Sequence, residues 1–504
     1  MMKVYDLNQL SNELVAIKSK NKKIVHCHGV FDLLHIGHIK YFQEAKSMGY
    51  ILVVTVTPDK FVNKGPGRPV FSEDLRVEVI AALDVVDYVA INKWPTAIET
   101  IKLLKPDIYV KGPDYKEYKN DITGDIKLEE EAIKSVGCKI AFTSNITFSS
   151  SKLINQNFSK LSGEQKRFLE KLRENYDFRE IAKYIDELKK LKVLLVGEVI
   201  IDEYVFCNTV GKSGKEPILI NHKLNSEKYA GGIIAVANHV SDFCREAKIL
   251  SYLGDRDEHE KFIKDKLKYN IQIDCIKKSN SPTILKTRFV DNYTKTKILG
   301  VYDINDELLN KSEEADFCSK LADNLDIYDI VIVVDYGHGL ITPKVVKLLE
   351  KKSKYLAINT QINAFNIMFH GIYKYSRTNY VCIHERELRH DYRNRHDSTQ
   401  YLTRNLYEKL IAETIVITRG NKGSIAYENN KFSKCPAYAK KVVDRIGSGD
   451  TLFAITSLCF AAGIPTNLSL FIGNLAAGET VGSMGTGTNL KKINLLKCID
   501  TLLK

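Results

Sequence analysis

The sequence predicts an α/β protein made of two doubly wound parallel-sheet domains, the second carrying a small β lid. Three observations lead there. Short apolar runs bounded by turn residues alternate with helix-like periods along most of the chain. At 504 residues the chain is too long for a single hydrophobic core. Two glycine-bearing stretches, "HGVFDLLHIGH" and "DRIGSGDTLFA", each follow a strand-like run and open a helix-like one, which is where parallel sheets bind ligands.

Taken in order, "KIVHCHG", "YILVVTVTPD", "VVDYVAI" and "PDIYVKG" read as buried strands of a first domain over residues 1–155. Residues 156–190 turn charged, with apolar positions three and four apart and no strand signal, and read as a helical connector. Strand-like runs resume with "KVLLVGEVIID", "AKILSYLG", "DIVIVVDYG", "KYLAIN", "NYVCI" and "TIVITRG", defining a second domain over 191–504. Within it, "DEYVFCNTVGKSGKEPILINHKL" and "TILKTRFVDNYTKTKILGVYD" alternate with period two and read as β-ribbon, the expected lid.

Composition narrows the function classes. With 44% apolar and 27% charged residues the chain is ordinary globular material, which argues against disorder. The net charge of +12 favours anionic partners. Its lysines are scattered among acids and never interleaved with aromatics, so no nucleic acid is expected and phosphorylated small molecules fit better. Ten cysteines without a C-x-x-C pair suggest neither a zinc site nor a disulfide framework. The first residues have no apolar leader, and no apolar stretch nears the ~20 residues that span a bilayer. A cytoplasmic protein that does not engage membranes is expected.

In the first motif, His35 and His38 lie three apart and share one face of the first helical turn, and Gly37 between them leaves room for a phosphate. Two imidazole donors converging on an α-phosphate would stabilise the charge that builds in phosphoryl transfer. Ser149, Ser150 and Ser151 in "TFSSSKLIN" would cap a helix and offer hydroxyl and N–H groups to β- and γ-phosphates. The stretch "GVFDLLHIGHIKYFQEAKSMG" resembles the cytidylyltransferase-like nucleotidyltransferases, whose H-x-G-H signature binds the triphosphate. The resemblance covers residues 22–155. It implies catalytic roles for His35, His38 and Lys46, with nucleotide or phosphate contacts from Gly29, Phe31, Gly37, Asp59, Arg76, Lys111, Gly112 and Asp114. "VKGPDYK" is similar to the heptose-phosphate members, whereas "TSNITF" lacks the arginine of the glycerol-phosphate members.

In the second motif, Gly447 and Gly449 bracket Ser448 ahead of Asp450. Small residues at a helix start let successive N–H groups face a transferring phosphate, and Asp450 stands where it could take a proton from an attacking hydroxyl. Further stretches resemble the ribokinase-like (phosphofructokinase-B family) sugar kinases over residues 190–490. "YAGGIIAVANHV", with Gly231, Gly232 and Asn238, is similar to the substrate motif, and "VVDYGHGLI" carries Asp335; Asp202 joins this sugar-binding set. "IVITRGNKGSIAY" places Thr418, Arg419 and Gly420 beside the nucleotide. Three departures stand out: "INTQIN" (Asn359, Thr360, Gln361) for a usual "DPK", "HERE" (His384–Glu387) for the N-x-x-E motif, with Glu387 the candidate magnesium ligand, and Ile446 for a threonine.

The two resemblances together imply a bifunctional nucleotide-sugar enzyme. One half would phosphorylate a heptose-like sugar or sugar phosphate with ATP, and the other would transfer a nucleotidyl group from ATP or CTP to a sugar phosphate, with Mg²⁺ at both. The pairing is similar to the enzymes of ADP-heptose synthesis with the domain order reversed. A homo-oligomer, a dimer through the kinase lid, is expected. The alternative is a polyol- or lipid-headgroup-phosphate cytidylyltransferase whose second domain only regulates or scaffolds.

Overall fold

The computed structural model describes residues 3–113, 125–144, 150–157, 161–256, 259–439, 443–444, 446–482 and 490–504. The chain divides into two compact units, residues Met1–Ser162 with Leu496–Lys504, and residues Gly163–Leu495.

In the first unit β1 (Ile24–Gly29), β2 (Ile51–Val56), β3 (Tyr88–Ile91), β4 (Ile108–Lys111) and β5 (Lys139–Phe142) form a sheet of order β3-β2-β1-β4-β5. Every pair is parallel. The order reverses beside β1, so a crevice opens beyond its carboxyl end, where ligands bind in open α/β sheets. β1 and β2 are mostly apolar because both faces are covered, with His26, His28 and Thr55 the polar exceptions. Val25, Cys27, Leu52, Val54 and Val56 face one core and Ile24, Ile51 and Val53 the other. β5 escapes a reading by apolar runs because it is a half-exposed edge strand.

In the second unit the strands are β6 (Lys192–Gly197), β7 (Val199–Lys212), β8 (Leu219–Gly232), β9 (Glu246–Gly254), β10 (Ile271–Lys278), β11 (Ile284–Asp291) and β12 (Lys297–Asp303). They continue with β13 (Ile330–Asp335), β14 (Leu356–Thr360), β15 (Tyr380–His384), β16 (Thr414–Thr418), β17 (Ser424–Glu428) and β18 (Lys431–Cys435). Nine form the main sheet, β10-β9-β6-β13-β14-β15-β16-β17-β18, parallel as far as β16. The hairpins that add β17 and β18 are antiparallel. The lid is a separate sheet, β12-β11-β7-β8, as the period-two ribbons predict.

The charged 156–190 segment carries two amphipathic helices among its described residues. Its helices Gly163–Asn175 and Phe178–Glu187 bury Leu169, Leu172, Ile181 and Ile185 and belong to the second unit. The chain's last residues, Leu496–Lys504, belong instead to the first. All ten cysteines are free thiols. Among the described residues no helix is long and apolar enough to cross a membrane.

Candidate active sites

In the first unit, β1 ends at Gly29 because the chain must double back there. Phe31 adopts φ 50°, and its ring folds over Gly29 so closely that a Cβ on Gly29 would lie 2.8 Å from it. The helix Ile36–Ser47 then begins at His35, whose Nδ1 accepts the Gly37 N–H at 3.1 Å. That bond leaves Nε2 of His35 facing out of the cap, 3.1 Å from the Ser150 hydroxyl, and Nε2 of His38 lies 3.5 Å from the same hydroxyl. The two rings stack at 4.0 Å between centroids. His35, His38 and Ser150 therefore converge at one helix N-terminus, where free N–H groups and the helix dipole favour an anion.

The cluster is poised as neutral imidazoles. Burial, with help from His35 and Lys64, pushes His38 down to about 3, and burial lowers His35 as well. Lys64 is a residue the motif reading overlooks, since nothing in its sequence neighbourhood marks it. It stands in a loop tied down by Asp32, which accepts the Val70 N–H at 2.7 Å, the Phe71 N–H at 3.1 Å and the Arg68 guanidinium at 3.3 Å. Arg68 also donates to the Ser151 carbonyl at 3.1 Å and to Asn155 Oδ1 at 2.9 Å, which joins this loop to the helix Ser150–Asn157. His28 completes the floor, with Nδ1 2.8 Å from Thr55 Oγ1 and Nε2 3.2 Å from Thr57 Oγ1.

Several residues expected to touch nucleotide are placed otherwise. Lys46 occupies the last turn of its helix, about 16 Å along the axis from His35. There it pairs with Asp87 and donates to the Tyr50 carbonyl at 2.6 Å, so it takes no part in the cluster. Phe31 is a core residue, packed on Phe42 and set edge-on to His38 at 5.4 Å, which positions that ring. Arg76 is buried, and its donors are consumed by the Phe71, Val30 and Thr57 carbonyls and by Asp59 at 2.6 Å. It is a tether for the strand-end loops, and Asp59 is its counter-ion. Lys111 is paired with buried Glu129 at 2.7 Å. Gly112 faces open space. Ser151 is buried, and Asp114 and Ser149 lie outside the described residues.

In the second unit, Gly447 supplies the N-cap of the helix Ser448–Ala461 at φ 82°, a left-handed conformation that favours glycine, and Gly449 has open space over its α-carbon. Asp450 follows within the first turn. Its carboxylate accepts the Tyr336 hydroxyl at 3.3 Å and the Gln361 amide. Burial raises it to about 6, against those two hydrogen bonds. Gln361 belongs to the stretch that departs from the family pattern, and here it holds the candidate base directly.

Around Asp450 lies a buried polar group set contributed by the lid and the main sheet. Asp202 on β7 pairs with Arg288 on β11, and Gly231 leaves the room Asp202 occupies, since a Cβ there would collide with its carboxylate. Lys286, one pleat along β11, lies 3.1 Å from Nε2 of His338, whose Nδ1 is 2.7 Å from Asp306. Gly232, at φ 56°, turns the chain from β8 into the helix Ile233–Ser241. Asn238 is buried on that helix and donates through Nδ2 to the Lys266 carbonyl at 3.0 Å, while its Oδ1 has no hydrogen-bond partner. Asp335 is fully buried, held by Tyr375 at 2.7 Å and Lys374 at 2.5 Å, and supports the β13 end from below.

At the neighbouring strand ends, Glu387 accepts the His384 N–H at 2.6 Å and the Ile362 N–H at 3.3 Å. Burial raises it to about 7, and the Asp450 charge adds to the rise. Thr418 pairs in register with His384 and leads into Arg419, whose Nε donates to Glu385 at 3.2 Å, and Gly420 at φ 58° turns toward β17. Among the described residues no group of three or more His, Cys, Asp or Glu side chains could hold a metal by itself.

Comparison with known proteins agrees with the two units. Residues 190–493 match the family described as pfkB family carbohydrate kinase, and residues 26–157 match the family described as cytidylyltransferase-like. The bifunctional protein HldE of Geobacter metallireducens is 45% identical over 115 residues, 22% of this chain and 24% of that one. The HldE of Campylobacter jejuni subsp. jejuni is 49% identical over 106 residues, 21% and 23% of the two chains. That of Geobacter sulfurreducens is 34% identical over 165 residues, 32% of each. The similarity thus spans less than a third of the length of these relatives. Among solved structures, phosphofructokinase-2 from Escherichia coli in complex with substrates and products is similar at a TM-score of 0.51 and 13% identity, over 62% of this chain and 100% of that one, a likeness of fold.

Proposed function

The chain belongs to the pfkB family of carbohydrate kinases, and from that premise we propose that it is a two-site enzyme of nucleotide-sugar synthesis. The second unit phosphorylates a heptose-like sugar or sugar phosphate with ATP. The first transfers a nucleotidyl group from ATP or CTP to the sugar phosphate and releases pyrophosphate. The observation that carries the reading is the convergence of His35, His38 and Ser150 at the start of the helix Ile36–Ser47.

In the transferase unit the sugar phosphate oxygen attacks the α-phosphate, and the Nε2 atoms of the paired imidazoles meet the charge that develops there. In the kinase unit Asp450 takes the proton of the attacking hydroxyl, while the Gly447–Gly449 turn presents N–H groups to the transferring phosphate. Arg288 and Asp202 frame the acceptor from the lid. Glu387, a hard oxygen donor beside Asp450, would hold Mg²⁺ together with the substrate phosphates; when bound, the ion neutralises phosphate charge. The lid's exposed apolar residues, Val210, Ile218, Leu219 and Ile220, support a dimer in which a second copy covers them.

Pyrophosphate release, measured with four nucleoside triphosphates against a panel of sugar phosphates, tests the reading. One nucleotide and one sugar 1-phosphate should stand out, and His35→Ala with His38→Ala should lower turnover by a factor of about 10² to 10³. Unchanged turnover in the double variant would sink it.

A further inference from the structure

The chain's last residues pack on the transferase unit at a telling place. Thr501 accepts a hydrogen bond through its carbonyl from Asn155 Nδ2 at 2.7 Å, and the same Asn155 accepts from Arg68. Gly65, at φ 83°, lies so close to the helix Lys492–Leu503 that a Cβ on it would be 3.0 Å from Cys498 Sγ and 3.7 Å from Leu502. Cys498 and Leu502 are buried there. The residue next to Gly65 is Lys64, whose charge acts on His38. Asp500 and Lys504 form an ion pair at 2.5 Å, and both act on Lys64.

We propose that the segment Leu496–Lys504 is a working part of the nucleotidyl-transfer site: it holds the loop that carries Lys64 and sets the charge environment of that lysine beside His38. The inference rests on the reading of His35 and His38 as the triphosphate site. The charged groups acting on Lys64 come from several sides, Asp32 from the β1 end, Arg68 from its own loop, and Asp500 and Lys504 from the terminal segment, and Lys64 in turn acts on His38. Burial, then the Lys504 ammonium, lowers Lys64 to about 8, and Asp32 and Asp500 oppose that shift. Lys64 is thus charged at neutral pH, able to meet phosphate, and loses its charge just above.

Because Lys504 repels the charge on Lys64 and Asp500 attracts it, two substitutions at the chain's end should move Lys64 in opposite directions. In the full-length protein, Lys504→Met should shift the alkaline rise in KM for the nucleotide to higher pH, and Asp500→Asn should shift it to lower pH, each by roughly a few tenths of a unit. Neither touches the packing against Gly65, whereas truncation after Leu495 would strip it. Trace acetylation of Lys64 across pH, read by mass spectrometry, follows the same titration whether or not the enzyme turns over. Opposite shifts in the labelling and in KM support the inference. Labelling profiles that coincide in all three proteins, or that move the same way in both variants, overturn it. If the unaltered chain releases no pyrophosphate with any nucleotide, the transferase reading fails, and the labelling alone decides whether the segment sets Lys64.

Discussion

Asp450 shows how much a single side chain depends on its surroundings. A carboxylate at a helix start would ordinarily be ionised well below neutrality, yet burial lifts this one to about 6 while Gln361 and Tyr336 hold it down. A base must be ionised, so kcat/KM for sugar phosphorylation should fall about tenfold per pH unit below about 6. Gln361→Leu removes a donor to the carboxylate and should move that acid limb to higher pH. Asp450→Asn should cost a factor of about 10² to 10⁴ in rate. A pH–rate profile of the three proteins checks both, and a limb that stays in place in Gln361→Leu would separate Gln361 from the base. Asp450 could be found from G-x-G-D at a helix start. Its partner Gln361, 89 positions away, could not, because no local pattern marks which strand end will face it.

Among elements, the lid is the most informative. Its long strands are divided lengthwise: β7 is buried along its first half, where Asp202 pairs with Arg288, and exposed toward its tip, and β8 is exposed along most of its length. The exposed residues, however, are not all polar. Leu219 is 61% exposed, Val301 54% and Leu299 57%, and with Val210, Ile218 and Ile220 they gather exposed apolar side chains on the lid strands and their turn. A second copy of the chain covering them would explain their retention. Sedimentation of the full-length protein should show a dimer, and Leu219→Lys with Val301→Lys should shift it to monomer while leaving pyrophosphate release by the first unit unchanged. A monomer in the unaltered protein would remove this explanation. The helix Ile36–Ser47 carries a contrasting lesson: its start was legible from histidine spacing, but the same helix carries Lys46 far from that start, where similarity in position along a sequence says nothing of function.

On the scale of the whole molecule, the first unit stores neutral histidines under its sheet. His26 is fully buried, bonded to Thr55 at 2.8 Å, and burial lowers it to about 3. Its unfolded value is near 6.5, so between about 6.5 and 3 the unfolded chain binds a proton that the folded unit refuses. Stability therefore rises with pH over that window and is lost as pH falls through it, at up to about 1.4 kcal/mol per unit for this group. Denaturant unfolding at pH 7 and pH 5 should show the first unit weakening on acidification, and His26→Asn should flatten the dependence. An unchanged slope in that variant would assign the acid sensitivity elsewhere.

What the chain determined by itself was local: buried strands from apolar runs, the lid from alternation, and two anion-ready helix starts from glycine and histidine spacing. These depend on backbone geometry within a few residues, which periodicity reports directly. Only the tertiary structure decided which charged residues remain available. Arg76, Lys111 and Asp335 are spent on buried partners, while Lys64 and Gln361 are brought to the sites from loops with no motif of their own. The reason is that a side chain's partner is set by distance in space, and folding makes neighbours of residues that the sequence keeps far apart.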